Sequence, residues 1–434
     1  MLRYISCVLF LILIVNRSLS TKKVKMLLVL AEQGPYYHEK INKERKGTLT
    51  NNGMRMSYLL GKYYRKRYKD FFTDQFNFNT CQVIASDQLS AQQSANAFML
   101  GLFDLGTYTS SLDIEKKYYT PEWYDFNIES EFETVLPEAF LPIPVRSSII
   151  KREFFKAWDS TVCPNMKYFR SFKQKHNQEI EAYASIVLEE MIKEGFDWNV
   201  LYSKRYITNP EEFISLYEYV KSQKYLGNEL VSEDCQNRLQ IVATMYMLNH
   251  YFFDKEITRY SLKQILDYIY NRVKEVKTIK EDKYLKKSPF YLITGQDLNL
   301  LNLFSILHLT NFYCLTELFD KKEGVKCMLV PEYASSVAFE YSEDNNEQNI
   351  DLFINGERIE FCGKFGREKC SFEDFQAIMS ELIIHEEKNK DGFFFCKDKN
   401  KIDDISLLFT ICGCWLIIFI FMCCVVKYNK QVKD

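Results

Sequence analysis

The sequence lacks the residue groupings that hold transition metals. Its 13 cysteines include no Cys-x-x-Cys pair, and its five histidines do not cluster with the cysteines. Structural zinc sites need four such ligands at short, characteristic spacings. The sequence therefore predicts no metal site, and no motif in it points to a cofactor.

An excess of charge of one sign is also missing. The chain carries 56 Lys and Arg against 58 Asp and Glu, which gives a net charge of −2. Domains that bind nucleic acid normally show a basic face, so no nucleic-acid partner is expected. Repeats and low-complexity tracts are absent as well. At 434 residues, the chain has room for one large domain with an insertion, or for two domains.

The two ends do carry long hydrophobic runs. Arg3 precedes an apolar run, and Ser18-Leu19-Ser20 supplies the small residues of a cleavage site, which predicts a signal peptide over residues 1–20. An uncleaved anchor is the alternative. Ile405–Val426 holds 22 residues without a charge, enough for one transmembrane helix. Lysines follow this run, which predicts a type I orientation with the bulk of the chain outside the cell or in a lumen. Residues 397–404 would be a stalk and residues 427–434 a cytoplasmic tail.

The topology puts eight cysteines in an oxidising compartment. An even number of cysteines there predicts disulfides rather than metal ligands. These cysteines are Cys81, Cys163, Cys235, Cys314, Cys327, Cys362, Cys370 and Cys396.

Hydrophobic patterns between the two ends predict an α/β protein. Buried strands are expected at residues 25–31, 81–86 and 290–294, each followed by a helical pattern. Such units favour a mostly parallel sheet with helices on its faces. Residues 150–255 read as helices without a strand, which indicates a helical insertion. Residues 336–361 alternate like a hairpin, with a turn at Asn355-Gly356.

Two of the predicted helices show apolar stripes. The first places Met56, Leu59, Leu60 and Tyr63 at helical spacing, and these are expected to face the core. The second places its stripe on Ala95, Phe98, Met99 and Leu102.

Several segments resemble, in the same order, the motifs of the histidine acid phosphatases, particularly the membrane-anchored lysosomal and prostatic type. The segments are Leu49–Met54 with Leu60–Tyr68, Ile84–Asp87, Leu141–Val145, Cys163-Pro164 and Val330–Ser335. The resemblance implies an α/β domain with an inserted α domain that caps the site. The α/β domain would comprise residues 21–149 and 256–396, and the cap residues 150–255.

The resemblance also implies disulfides. The pairs are Cys163 with Cys396 and Cys362 with Cys370. A further family cysteine matches Cys235, but its partner position holds Ser336 in this chain. We expect Cys314 or Cys327 to substitute, and the partner of Cys81 stays open. A homodimer is a further possibility that the resemblance suggests.

The resemblance implies a reaction through a phosphohistidine, with three Arg that hold the phosphate and a second His and an Asp that assist. In this chain nearly all of these positions are substituted. The nucleophile position is Gln33, the Arg positions are Glu32, Tyr36 and Ser90, and the second His position is Gln296. Gly34 and Asp297 keep the family residues, and Asp87 stands at the Asp of the family's S-T-D segment.

These substitutions oppose phosphoryl transfer. The Gln33 amide nitrogen shares its lone pair with the carbonyl, so it cannot form the covalent intermediate that a His forms. Glu32 turns attraction for a phosphate into repulsion, and each close charge pair is worth about 4 kcal/mol at an effective dielectric of about 20. Asp297 would be a proton donor or merely a turn or N-cap residue.

Three residues could in principle replace lost functions. His38 lies beyond the glycine turn, so it would have to reach back into the site. Asp87 could form an acyl phosphate, but it lacks evident cationic partners. Ser90 and Gln93 fit an S-x-x-Q capping box, which would give Ser90 a structural role.

The sequence thus predicts a single-pass membrane protein of this fold that acts by binding an unknown ligand or protein partner. One alternative is a working acid phosphatase that uses Asp297 on phosphomonoesters. Another is a purely structural surface protein, which aromatic filling of the cleft by Tyr36, Tyr37 and their neighbours would favour.

Overall fold

The fold is seen in a computed structural model, which carries one sheet of seven strands flanked by helices. The residues that the structure describes are 22–38, 43–74, 76–77, 79–103, 143–147, 153–167, 176–198, 209–252, 254–278, 289–344, 347–362 and 370–383. The strands are β1 (Lys23–Glu32), β2 (Cys81–Ala85), β3 (Arg146–Ser147), β4 (Phe290–Gly295), β5 (Ser336–Asp344), β6 (Glu347–Ile354) and β7 (Glu357–Ile359). The helices are α1 (Asn51–Arg67), α2 (Leu89–Leu102), α3 (Glu153–Lys156), α4 (Asn177–Lys193), α5 (Pro210–Tyr225), α6 (Glu233–Tyr251), α7 (Lys255–Thr278), α8 (Asp297–Ile306), α9 (Phe312–Phe319) and α10 (Phe372–Leu382).

The sheet has a parallel half and an antiparallel half. Its strand order is β3-β2-β4-β1-β5-β6-β7, with parallel pairing from β3 to β1 and antiparallel pairing from β1 to β7. The predicted parallel sheet is therefore found at the three expected strands. The predicted hairpin region forms the other half, and Asn355 and Gly356 adopt the positive φ angles of 50° and 87° that a tight hairpin turn requires.

Strand β1 lies in the middle because both of its faces are apolar. Residues 26–31 are all buried, and alternate residues enter two different cores. Leu28 and Leu30 pack with α7 and α8, whereas Leu27 and Val29 pack with α1 and α2. Burial on both faces is the reason why a strand of a parallel sheet reads as a continuous hydrophobic run.

The predicted stripe of α1 was wrong for two of its four residues, whereas Leu60 packs against the core and Met56 is partly buried. Leu59 and Tyr63 are among the exposed large hydrophobic residues, and the buried face instead holds Gly53, Ser57, Gly61 and Tyr64. A Cβ on Gly61 would overlap the carbonyl oxygen of Phe98 in α2. The small residues therefore let the two helix backbones meet, which an apolar stripe cannot reveal. The stripe of α2 is confirmed, since all four of its residues are buried.

The helices α4, α5 and α6 form a second core, apart from the sheet. Ile180, Phe213 and Leu239 are fully buried in it, together with Leu301 of α8 and Leu315 of α9. Helix α7 follows directly and returns to the sheet, where Leu262 and Ile265 pack. The helical insertion thus lies beside the helices that follow β4.

Disulfide pairing agrees with the sequence in one case and differs in another. Cys362 is bonded to Cys370, as expected. Cys314 and Cys327 are bonded to each other, so neither is the substitute partner that was expected for Cys235, whose thiol is free and buried. The two cysteines are 13 positions apart in sequence, and Cys314 lies within α9. Cys81 is free. Cys163 is disulfide-bonded, and its predicted partner Cys396 lies outside the described residues.

The predicted signal peptide (1–20), stalk (397–404), transmembrane helix (405–426) and tail (427–434) lie outside the described residues. Among the residues that the structure describes, no helix combines the length and the apolar character that a membrane crossing requires.

Candidate functional site

The candidate site lies at the carboxyl end of β1, where backbone hydrogen bonds hold the following loop. Glu32 N–H donates to Ser335 O (2.8 Å), and Gln33 N–H donates to Gly295 O at the end of β4 (3.1 Å). Ala334 N–H donates in turn to Gln33 O (3.2 Å). The loop is therefore fixed on both sides, by β4 and by the segment that precedes β5.

Gly34 is required by a close backbone approach. A Cβ at this position would lie 2.6 Å from the carbonyl oxygen of Gly53 in α1, and its N–H donates to Ser94 Oγ of α2 (2.9 Å). The glycine turn thus lies between the first turn of α1 and the second turn of α2, and any side chain would force α1 away from the loop.

Gln33 and Ser90 are brought together beneath the loop. Both are buried, and Ser90 Oγ donates to Gln33 Oε1 over 2.7 Å. The predicted capping box was wrong, because α2 begins one residue earlier than Ser90 and Gln93 Oε1 accepts instead from Leu49 N–H (2.7 Å). Gln33 and Ser90 therefore satisfy each other as a neutral hydrogen-bonded pair.

Glu32 forms a buried ion pair with a residue that the sequence did not single out. Lys221 of α5 places its Nζ 3.2 Å from Glu32 Oε1, and the two side chains are 3% and 2% exposed. The same Nζ donates to Pro331 O over 2.7 Å. A helix of the insertion thereby reaches the end of the central strand, across 189 residues of sequence.

The surroundings of the pair favour the lysine cation. Desolvation alone would lower the pKa of Lys221, but the carboxylates of Glu32 and Asp297 outweigh it and raise the pKa. Burial raises the pKa of Glu32 well above its ordinary value, and Lys221 only partly opposes that rise. Lys221 therefore stays charged, while Glu32 takes up a proton far more readily than an exposed Glu.

Tyrosine rings surround the same lysine. Lys221 Nζ lies 4.3 Å from the ring centroid of Tyr333 and 5.8 Å from that of Tyr217. Tyr333 also meets Tyr36 and Tyr225 edge to face, at centroid distances of 6.0 and 5.1 Å. Tyr36 thus belongs to an aromatic cluster around a cation.

Three further carboxyl groups act on this cluster. Asp297, the first residue of α8, raises the pKa of Glu32, and Glu332 does so more weakly. Burial, together with Asp297, raises the pKa of Glu218 in α5 to about 7. Tyr225 Oη donates to Glu332 Oε2 (3.0 Å). The described part of the site therefore has four carboxyl groups and one lysine.

Gln296 and Asp297 open α8. Gln296 N–H donates to Asn299 Oδ1 (3.1 Å), and Asp297 Oδ1 accepts from Leu298 N–H (2.8 Å). Gln296 is the N-cap residue, so Asp297 is not the cap that the sequence offered as its structural role. Asp297 is partly exposed and is free to act on the groups around Lys221.

Asp87 and His38 are held by other groups. Asp87 is exposed, and its Oδ1 lies 2.8 Å from Lys156 Nζ of α3. It thus has a cationic partner that the sequence did not reveal. His38 is buried with its ring 6.2 Å from that of Tyr219 on α5. The other histidines within the described residues are a stacking partner of Phe312 (His176), a neighbour of Glu211 (His250) and a positive-φ residue (His308).

The chain belongs to the histidine phosphatase superfamily (branch 2), whose family model matches residues 21–355. No curated protein sequence matches it significantly. Among solved structures, the phytase of Citrobacter braakii is similar at 12% identity and a TM-score of 0.54, over 83% of this chain and 98% of the phytase. The apo phytase of Hafnia alvei is similar at 12% identity and a TM-score of 0.53, over 84% of this chain and 97% of the phytase. The phytase of Klebsiella sp ASR1 is similar at 10% identity and a TM-score of 0.52, over 83% of this chain and 95% of the phytase. At such identities the likeness concerns the fold.

The sequence found the loop, its neighbours and Asp297, but it missed the residues of α5. Glu218 and Lys221 lie one helical turn apart in a segment that reads as an ordinary amphipathic helix. Polar residues are spread through this helix, so its sequence gives no sign that Lys221 is buried. Chemically, the site offers carboxyl and phenol oxygens around one buried ammonium group.

Proposed function

We propose that this protein is a non-catalytic member of its superfamily, which acts by binding through the old active-site cleft. The observation that carries the proposal is the Glu32–Lys221 pair. The resemblance puts a phosphate-binding Arg at position 32, and here a carboxylate there is already bound to the protein's own lysine. A phosphate dianion would meet one cation and up to four carboxylates.

The nucleophile position supports the same proposal. Gln33 has no lone pair on its amide nitrogen to offer phosphorus, and its amide oxygen accepts from Ser90. His38, the nearest histidine in sequence, is buried against α5.

Turnover of p-nitrophenyl phosphate between about pH 4 and pH 7, the range in which carboxyl and imidazole groups titrate, tests the proposal. We expect the purified full-length chain to give no turnover above a buffer blank. Turnover that disappears in Asp297→Asn but persists in the exposed variant Glu229→Gln would overturn it. In that case the alternative, an acid phosphatase with Asp297 as proton donor, would stand.

A structural surface role is a second candidate. It is favoured by the ring contacts that join Tyr36, Tyr333 and Tyr225 beside Lys221. A Tyr36→Ala variant separates the two, because a binding site would lose or change its ligand while a structural protein would keep its partners.

We also propose that residues 405–426 anchor the protein, with residues 21–396 outside the cell or in a lumen. Protease treatment of intact cells or sealed vesicles tests this orientation. Protection of the C-terminal tail with digestion of the larger part on intact cells is the expected result. The homodimer that the resemblance suggests is testable by light scattering on the same material.

A further inference from the structure

Carboxyl groups outnumber ammonium groups at the candidate site. Lys221 Nζ is the one ammonium among the described site residues, and it faces Glu32, Asp297 and Glu332, while Glu218 lies on the same helix. Glu218, Asp297 and Glu332 are partly exposed, so solvent reaches the outer part of the cluster. An acidic cluster alone does not define a site, and the buried polar atoms beneath it must be considered.

Two buried acceptors beneath the cluster have no hydrogen-bond partner among the described residues. They are Glu32 Oε2 and the Tyr217 hydroxyl, and both residues are about 3% exposed. Glu32 Oε1 is bound to Lys221, so Oε2 is the acceptor of this carboxyl group that remains without a partner, and Asp297 and Glu332 lie near enough to raise the pKa of Glu32. A buried polar atom without a partner costs about 1–3 kcal/mol, which a ligand that donates hydrogen bonds would recover.

The shape of the acceptor set disfavours a simple metal ion. Within the described residues, no three His, Cys, Asp or Glu side chains converge closely enough to hold one. The carboxyl groups are instead spread around tyrosine rings. Aromatic faces and spaced carboxylates are the surroundings in which proteins bind ammonium and guanidinium groups, and Lys221 already occupies such surroundings here.

We propose that the cleft binds a polyatomic organic cation, whose ammonium or guanidinium groups are held by Glu218, Asp297 and Glu332 and reach the free oxygen of Glu32. The proposal rests on the binding function proposed above and names its ligand class. The cation would come from a free polyamine or from a Lys or Arg side chain of a partner.

Binding should strengthen as the pH rises through about 7, where Glu218 ionises. The groups that face Glu218 are Asp297 of α8, Lys221 of α5, and the phenols of Tyr36 and Tyr333. A bound cation favours the ionised carboxylate, so the two processes support each other.

Isothermal titration of the purified full-length chain with spermidine at pH 6 and pH 8 is the test. We expect saturable binding that is tighter at pH 8 and is absent with 1,4-butanediol, a neutral chain of similar spacing. A short N-acetyl trilysine amide in place of spermidine distinguishes a peptide source from a free polyamine. Binding of either cation supports the proposal.

Glu218→Gln should weaken spermidine binding at pH 8 by at least about fivefold, since it removes one close charge pair. Glu229→Gln, an exposed Glu just beyond α5, is the matched control and should change nothing. No saturable binding by the parent, or equal losses in the two variants, would overturn the cation site. Turnover of p-nitrophenyl phosphate by the same sample would instead overturn the proposed function, so the two failures are distinct.

Discussion

The two halves of the sheet differ in how completely their carboxyl groups are paired with cations. In the antiparallel half, Glu340 of β5 and Asp351 of β6 are direct cross-strand neighbours, and both are nearly buried. Lys22 Nζ bridges them at 2.5 and 2.8 Å, and Arg358 binds Asp351 at 2.7 Å. Two carboxylates thus meet two cations. Like charges opposite each other on neighbouring strands are tolerated because they are neutralised.

At the end of the parallel half the balance is different. Lys221 is bound to Glu32, but Asp297, Glu218 and Glu332 have no matching cation among the described site residues. In both halves, then, the fully buried carboxylates are paired with cations. The carboxyl groups at the candidate site that have no matching cation are partly exposed, and we propose that this imbalance serves binding rather than folding.

The largest expected effect is the loss of Lys221. Lys221→Met keeps the side-chain volume but leaves Glu32 as an uncompensated buried carboxylate. Breaking a buried pair in this way costs about 3–5 kcal/mol, which urea unfolding at neutral pH should show as a lower free energy of unfolding.

The double variant Glu32→Gln with Lys221→Met is the control for that loss. It removes both charges, so most of the lost stability should return. A single Lys221→Met variant as stable as the parent would mean that Glu32 is not confined by the cap helix, and the contrast between the two clusters would fail.

The next largest effect is a gain of stability when the carboxyl group of Glu218 is removed. Because its pKa is raised from 4.5 to about 7 in the folded protein, the folded state binds more protons than the unfolded state between these values. Stability contributed by the protonated form is thus lost as the pH rises from about 4.5 to about 7. Glu218→Gln should therefore be more stable than the parent at pH 8, by about 2 kcal/mol, and equal to it at pH 4.

Thermal unfolding of Glu218→Gln and Glu229→Gln across this pH range provides the measurement. A gain that does not depend on pH would show that the carboxyl group of Glu218 is not perturbed in the folded protein.

A smaller loss of stability is expected when the hydrogen bond between Ser90 and Gln33 is removed. Ser90→Ala removes the hydroxyl that donates to Gln33 and leaves a buried amide oxygen unsatisfied, which costs about 1–2 kcal/mol. Urea unfolding of Ser90→Ala beside Ser380→Ala, an exposed helical serine, measures it. Equal losses of unfolding free energy in both variants would show that the hydrogen bond from Ser90 to Gln33 does not stabilise the site.

The smallest effect belongs to the balanced cluster. Arg358→Met should cost only about 0.5–1 kcal/mol, because its side chain is 44% exposed and Lys22 still neutralises Asp351. Urea unfolding at low and high salt is the measurement. A loss as large as that of Lys221→Met would mean that the two clusters do not differ in the way described here.

The sequence predicted what local pattern controls. The apolar run at 25–31 lies within β1, and Asn355-Gly356 is the turn between β6 and β7, because burial on both faces and a positive φ each leave a direct mark on residue type. The α1 face could not be predicted, since Gly61 is buried by the approach of the α2 backbone and not by its own hydrophobicity. Lys221 could not be assigned to the site either, because only the tertiary fold brings α5 to Glu32.

We propose that the candidate site repels phosphate instead of binding it. Isothermal titration of the full-length chain with inorganic phosphate at pH 7 tests it most directly. We expect no saturable phosphate binding by the parent, because Glu32, Asp297 and Glu332 surround Lys221, the one cation among the described site residues. Saturable phosphate binding that is lost in Lys221→Met and kept in Lys22→Met would contradict it.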